Sequence, residues 1–277
     1  MIILIMIMLF FSWFLLMVNN FIIWWCIFII FTMIGLLKLK LNSSSINSLF
    51  YYFLIQEMLG LLFMMNFSSF FQLFIFFMKG GFAPFHFWMV KVLHISSWFS
   101  FSWMLTVQKM PYYFIVMLFW DWSWFLWVLM GSLVPLLQSL LVKSVWYQIF
   151  LLLTSSGNNM LMLTWFEPMM CVYTLPFYLI FMNYMINGVS NQGLVGVTYE
   201  FIFLLMSFPG GLPFYIKLFS LSLLFNMGGL IVIVFLLSLV LNLISGFNLV
   251  MYVHSFCLLY NKLFVIFFFF FLVLLLI

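Results

Sequence analysis

The sequence predicts an all-α, polytopic membrane protein, and three observations carry that reading. Of 277 residues, 69% are hydrophobic and 4% are charged, whereas a soluble domain averages about 25% charged residues. The apolar residues run on without the alternation of a membrane barrel, so the spans are helices. Two segments that combine Gly-Gly, Pro and Lys, "KGGFAPF" at 79–85 and "PGGLPF" at 209–214 with Lys217 just beyond it, recur in the two halves of the chain. Matched interrupted segments of this kind point to an inverted-repeat transporter with its ion site at the breaks.

A span needs about 20 mostly apolar residues. Ten or eleven segments qualify, near 1–18, 21–37, 49–66, 69–93 (interrupted), 97–119, 122–142, 144–164, 168–187, 196–218 (interrupted), 220–243 and 249–277. Links are short, so residues 1–277 read as one integral membrane domain. The opening "MIILIMIMLF" lacks the basic region of a signal peptide and reads as the start of the first span. The formal charge of +4 is spread over eight lysines without a basic cluster, which excludes a nucleic-acid footprint. Cys26, Cys171 and Cys257 lie far apart in apolar segments and read as small buried hydrophobes. Their spacing offers no zinc or iron–sulfur site, and no Gly-rich nucleotide loop is present.

Charges in a membrane protein usually stand in loops, where lysine biases orientation. Lys38, Lys40, Asp121 and Glu167 fit that rule, and Lys262 and Glu200 fit an interface or a span end. The rest do not fit. Glu57 lies in "FLIQEMLGLLFMM", Lys79 ends "LFIFFMK", Lys109 is mid-segment in "WMLTVQKMPYYFIVML", Lys143 is in "LLVKSVWYQ", and Lys217 follows "GGLPFYI". A lysine at a span centre costs about 2.5–3.5 kcal/mol on insertion scales, and such residues usually face the bundle interior and mark ion or proton paths. Structural ion pairs and snorkelling at span ends are the simpler alternative, strongest for Lys143 and Lys217. Burial disfavours a charged ammonium and a nearby carboxylate favours it, so a lysine between the two can exchange a proton near neutral pH.

Glycine loosens a helix and proline removes a backbone donor, so both Gly-Gly-Pro segments should break their spans. Backbone freed in this way survives in a bilayer only when buried in protein or lining a wet cavity. His86, two residues past Pro84, fits as a partner for that backbone, with proton relay as its other reading. His94 and Lys91 read as interfacial. Haem ligation would need histidines from facing helices, a pairing the sequence does not offer.

At "KGGFAPFHFW", followed by "LTVQKMP", the chain resembles the antiporter-like subunit 2 family of mitochondrial NADH:ubiquinone oxidoreductase, respiratory complex I. That family carries a pattern close to K-x-G-x-A-P-F-H-F-W. Lys79, Gly81, Ala83, Pro84, Phe85, His86, Phe87 and Trp88 match it, and Gln108 and Lys109 match a later Q-K stretch. "GGLPF" is similar to the family's GGLPP, "FLIQ" at 53–56 also matches, and Lys143 falls where the family has a lysine in an RK-like pair. The short, Phe-rich chain looks like a reduced, nematode-type version.

The resemblance implies a subunit of an H+-translocating NADH:ubiquinone reductase in the mitochondrial inner membrane, seated among other membrane-arm subunits and lipid. It implies that NAD, FMN, iron–sulfur clusters and ubiquinone belong to the assembled complex, with no redox group on this chain. It makes Lys79 the central lysine of a buried proton path that Lys109 and Lys143 continue. Lys217 lies several residues from the family's usual position. The family's early-helix glutamate falls on Ile27 here, and residues 1–56 hold no carboxylate. Glu57, one helix later, is the candidate replacement. A stand-alone cation/proton antiporter and a non-pumping structural subunit are the competing readings.

Overall fold

The computed structural model describes residues 2–41, 46–65, 68–93, 97–118, 124–168, 172, 174–176, 178–182, 199–207, 211–225 and 229–254. Its elements are helices: α1 Ile2–Met17, α2 Phe21–Leu41, α3 Ile46–Met65, α4 Ser69–Gly80, α5 Phe87–Leu93, α6 Trp98–Leu105, α7 Met110–Leu118, α8 Phe125–Leu141, α9 Val145–Phe166, α10 Tyr199–Leu205, α11 Leu212–Leu224 and α12 Gly229–His254. No strand occurs among the described residues. The chain divides into two compact units, one of Met1–Leu126 with Thr164–Asn187, the other of Trp127–Leu163 with Gly188–Ile277.

Three helices among the described residues are long and apolar enough to cross a membrane: Phe21–Leu41, Ile46–Met65 and Ile231–Met251. The ten or eleven spans that hydropathy predicts are not all continuous helices, because Gly and Pro cut several segments short. Leu4–Met17, Ser69–Gly80, Phe125–Leu141 and Pro213–Leu224 are apolar but shorter. The predicted span at 249–277 falls largely outside the described residues, as do Cys171, Cys257, Lys262, Asp121, His94, Pro209 and Gly210.

In the first unit, α2, α3, α4 and α7 build the core around the site. α3 shows how such an apolar helix chooses its inner face. Ser48, Tyr52, Gln56 and Gly60 recur every four residues and are buried, with Leu59 and Phe63 beside them. Residues four apart stack on one helical face, so the polar groups of α3 point inward while Tyr51, Leu54, Met58, Leu61 and Met65 are exposed. For an apolar helix in lipid this inside-out pattern is the economical one: hydrocarbon outside costs nothing, and buried polar groups find partners. Phe28 of α2 anchors the packing. Its ring centroid lies 5.5 Å from that of Phe76, 5.9 Å from Phe63 and 5.4 Å, stacked, from Tyr112 of α7. Aromatic pairs at such distances add about 0.5–1.5 kcal/mol each beyond area burial.

Two further expectations change. Cys26 is exposed on α2 rather than buried. Lys38 is not a loop lysine: α2 continues to Leu41, and Lys38 is buried with Nζ 5.0 Å from the centroid of the Trp103 ring.

Candidate functional site

α4 ends where the sequence predicts a break. Gly81 takes the left-handed conformation at φ 58°, which glycine alone adopts without steric cost. Its N–H donates to Met78 O at 3.2 Å, and the Phe82 N–H donates to Phe77 O at 3.1 Å. This paired closure is a Schellman motif. Two side chains add to it, one as a second donor to a carbonyl of the closure and one on a carbonyl the closure leaves open. Trp88 Nε1 of α5 donates to Met78 O at 2.8 Å, and Gln56 Nε2 of α3 donates to Lys79 O at 3.0 Å. Trp88, the last residue of the family-like motif, thus has a direct structural task. His86 is fully buried, its ring stacked on Phe87 at 4.6 Å.

Lys79 stands in that last turn and is buried. Its Nζ lies 4.9 Å from the centroid of the Phe28 ring. On the other side it meets α3, where a Cβ added to Gly60 would stand 3.3 Å from Nζ. Glu57 is one turn before Gly60 on the same helix and attracts the Lys79 charge electrostatically. The Glu57 carboxylate is half-buried, with Oε1 a long 3.4 Å from Thr32 Oγ1 of α2, whose hydroxyl donates at 2.8 Å to Ile29 O. Three effects therefore oppose the cost of burying the ammonium. A desolvated cation–π contact contributes about 2 kcal/mol, the negative end of a helix contributes roughly 0.3–1 kcal/mol, and Glu57 adds its attraction. Together they match the 2.5–3.5 kcal/mol insertion cost in order of magnitude. Ile27, where the sequence resemblance led to the expectation of an early glutamate, is buried in α2.

Lys109 was expected mid-helix, and the structure shows a second break there. α6 stops at Leu105, Thr106 turns away at φ −115° and ψ −79°, and Val107–Lys109 forms a 3₁₀ turn before α7. Pro111 explains it. Proline has no amide to donate to Val107 O, and its ring crowds that carbonyl. Val107 O instead accepts from the Met110 N–H, the shorter 3₁₀ connection. Lys109 is buried, with Nζ 5.1 Å from the centroid of the Phe82 ring and no hydrogen-bond partner among the described residues. Phe82 belongs to the first break, so the two interruptions abut through one ring.

Amide and phenol groups join them a second time. Gln108 Nε2 donates to Phe31 O at 2.9 Å and to Tyr52 Oη at 3.0 Å. Tyr112 Oη donates to Gln56 Oε1 at 3.4 Å. The first unit thus sets Lys79 and Lys109 at two breaks tied to α3 by buried polar contacts, with Glu57 half-buried on α3 and His86 buried just past the first break. Tyr52, Gln56, Thr32 and Tyr112 were not singled out as site residues from the sequence. The four-residue spacing of Ser48, Tyr52, Gln56 and Gly60 in an otherwise apolar span was the available signal.

The second unit carries the other two lysines. α10 ends at Leu205, and Ser207 takes φ 59° just beyond it. Asn242 of α12 closes that end: its Nδ2 donates to Met206 O at 2.9 Å, Leu205 O at 3.3 Å and Ser207 Oγ at 3.2 Å. α11 restarts at Leu212 with Pro213 in its first turn, where a missing amide costs nothing. Lys217 follows on α11 and is buried. Lys143 departs from the expectation of a buried lysine. It stands in the link 142–144 between α8 and α9 and is exposed on this chain. α9 brings a polar run, Thr154, Ser155, Ser156, Asn158 and Asn159, all of it buried.

Apolar helices with buried lysines at interrupted segments define a helical membrane protein with a polar interior. The sequence is 33% identical over 205 residues to NADH-ubiquinone oxidoreductase chain 2 of Caenorhabditis elegans, covering 73% of this chain and 72% of the relative. It is 30% identical over 207 residues to the protein of that name from Ascaris suum, covering 75% and 69%. No family model matches the sequence. On these relatives the chain belongs to the NADH-ubiquinone oxidoreductase chain 2 family, a membrane subunit of complex I.

Proposed function

We propose that this chain is an antiporter-like, proton-translocating subunit of the membrane arm of NADH:ubiquinone oxidoreductase, spanning the mitochondrial inner membrane many times and built of two inverted repeats. The observation that supports it best is the pairing of Lys79 and Lys109. Two lysines are buried in one unit, each at a helix break, with Phe82 of the first break against the Lys109 ammonium and the polar face of α3 bonded to both breaks. Intramembrane ionisable residues are rare and by default mark ion or proton pathways.

In this reading Lys79 is the proton carrier and Glu57 its counter-charge, in place of the family's glutamate at Ile27. When Lys79 is protonated, Glu57 and Phe28 stabilise the charge; when the proton passes on, Lys109 receives it. His86 lies beside the break as an auxiliary group. Lys217 is a buried lysine of the second unit with a role of its own there, and Lys143 is exposed in that same unit, where a neighbouring subunit can cover it. Electron transfer and the binding of NAD, FMN, iron–sulfur clusters and ubiquinone belong to other subunits, and this chain draws on that reaction through its partners.

The test is Lys79→Met in the assembled complex, with the proton-to-electron ratio measured in sealed vesicles. A lowered ratio with electron transfer retained is expected. An unchanged ratio with assembly intact would favour the second reading, a structural subunit that moves nothing. The apolar Ile27 at the family's glutamate position is the observation that favours that reading.

A further inference from the structure

We propose that the Tyr52–Gln56 edge of α3 is a strut that fixes the two breaks relative to one another, with both side chains acting as positioning residues for Lys79 and Lys109. The inference rests on the proton-transfer reading for its functional consequence, and on geometry alone for the strut. Tyr52 and Gln56 are one helical turn apart and buried, so the rigid α-helix sets their spacing at about 6 Å. Gln56 ends on the backbone of the first break, at Lys79 O, 3.0 Å away. Tyr52 ends on the second, at Gln108 Nε2, 3.0 Å away and next to Lys109. Gln108 is itself fastened to α2 through Phe31 O at 2.9 Å. The longer Tyr112–Gln56 contact closes the loop from the α7 side.

This arrangement answers a mechanical problem. Each break ends the helical ladder beside its lysine, and two independently mobile breaks would let the distance between the ammonium groups drift. Proton transfer depends steeply on that distance, since donor and acceptor must come within hydrogen-bond reach directly or through one water. A continuous helix running past both breaks removes the drift, provided it holds each by a bond of its own. Gln56 and Tyr52 supply one each.

The test uses the assembled complex carrying Gln56→Met or Tyr52→Phe, both of which keep the side-chain shape. Amide hydrogen exchange is followed in peptides covering 76–82 and 106–113. Loss of one bond worth about 1 kcal/mol corresponds to roughly 5-fold faster exchange. The strut predicts that each variant speeds exchange at both breaks. Acceleration confined to the break that lost its bond overturns it. If Gln56→Met does not assemble, Tyr52→Phe alone decides, through its effect on 76–82. The proton-to-electron ratio, measured beside Lys79→Met, should fall in both variants. An unchanged ratio, with Lys79→Met lowering it, overturns the positioning role. Crossed exchange with Lys79→Met silent upholds the strut and rejects proton transfer, so the two failures are distinct.

Discussion

Gly35 of α2 offers a sharp test of how the site is packed. A methyl group at this position would lie 2.6 Å from Tyr52 Oη, 3.1 Å from Tyr52 Cζ and 3.3 Å from Gln108 Nε2. The first distance is a collision, so in Gly35→Ala the phenol must move and its 3.0 Å bond from Gln108 breaks. Overpacking a core costs about 1–3 kcal/mol, and a stranded buried polar group costs about 1–3 kcal/mol more. The better helix propensity of alanine returns about 1 kcal/mol. A net loss of about 1–5 kcal/mol remains from these terms. The assay is the temperature at which the purified complex loses this chain, read on native gels for Gly35→Ala in the parent and in Tyr52→Phe. Removing the hydroxyl removes the nearest clashing atom, so the alanine should cost less in the second background. Equal losses in both backgrounds, or a neutral Gly35→Ala, would refute the reasoning.

Two other outcomes follow from named contacts. Glu57→Gln keeps the shape and removes the charge that attracts Lys79; losing roughly 1.4 kcal/mol of counter-charge attraction corresponds to about a 10-fold drop in proton translocation, with Thr32→Val giving a smaller drop. Equal rates in Glu57→Gln and the parent, measured as pH change in vesicles, would remove Glu57 from the site. Asn242→Leu strands the carbonyls of Leu205 and Met206 and the Ser207 hydroxyl; a loss of about 1–3 kcal/mol should show as lowered thermal stability and faster protease cleavage near 207.

The sequence was informative where backbone chemistry is local. Gly-Gly and Pro announced the breaks after Lys79 and before Lys217, because these residues act on their own turn of helix. The break at Lys109 depends on Pro111, also local. It was passed over because proline in a membrane span has several outcomes, and the 3₁₀ tightening depends on what packs against it. Lys38 was misjudged for a different reason. Its partner Trp103 lies on another helix, and hydropathy carries no record of such pairings. Gln56 illustrates both sides: its spacing from Tyr52 was on view, while its target, the carbonyl of Lys79, was not. Apolar stretches and helices do not correspond one to one, for the same physical reason that makes the site: the stretches 69–93 and 97–119 are each interrupted.

The carboxamides of Gln56 and Asn242 have one consequence beyond holding breaks closed. A carboxamide is a peptide group on a stalk, so each interruption is repaired with a rung borrowed from a neighbouring helix. The loan is electrically neutral: it satisfies a carbonyl without setting a fixed charge beside a buried lysine. A lysine or arginine could close the same carbonyl, and it would also repel the Lys79 ammonium. Broken helices mended by amides therefore leave the field at Lys79 to Glu57 and Phe28.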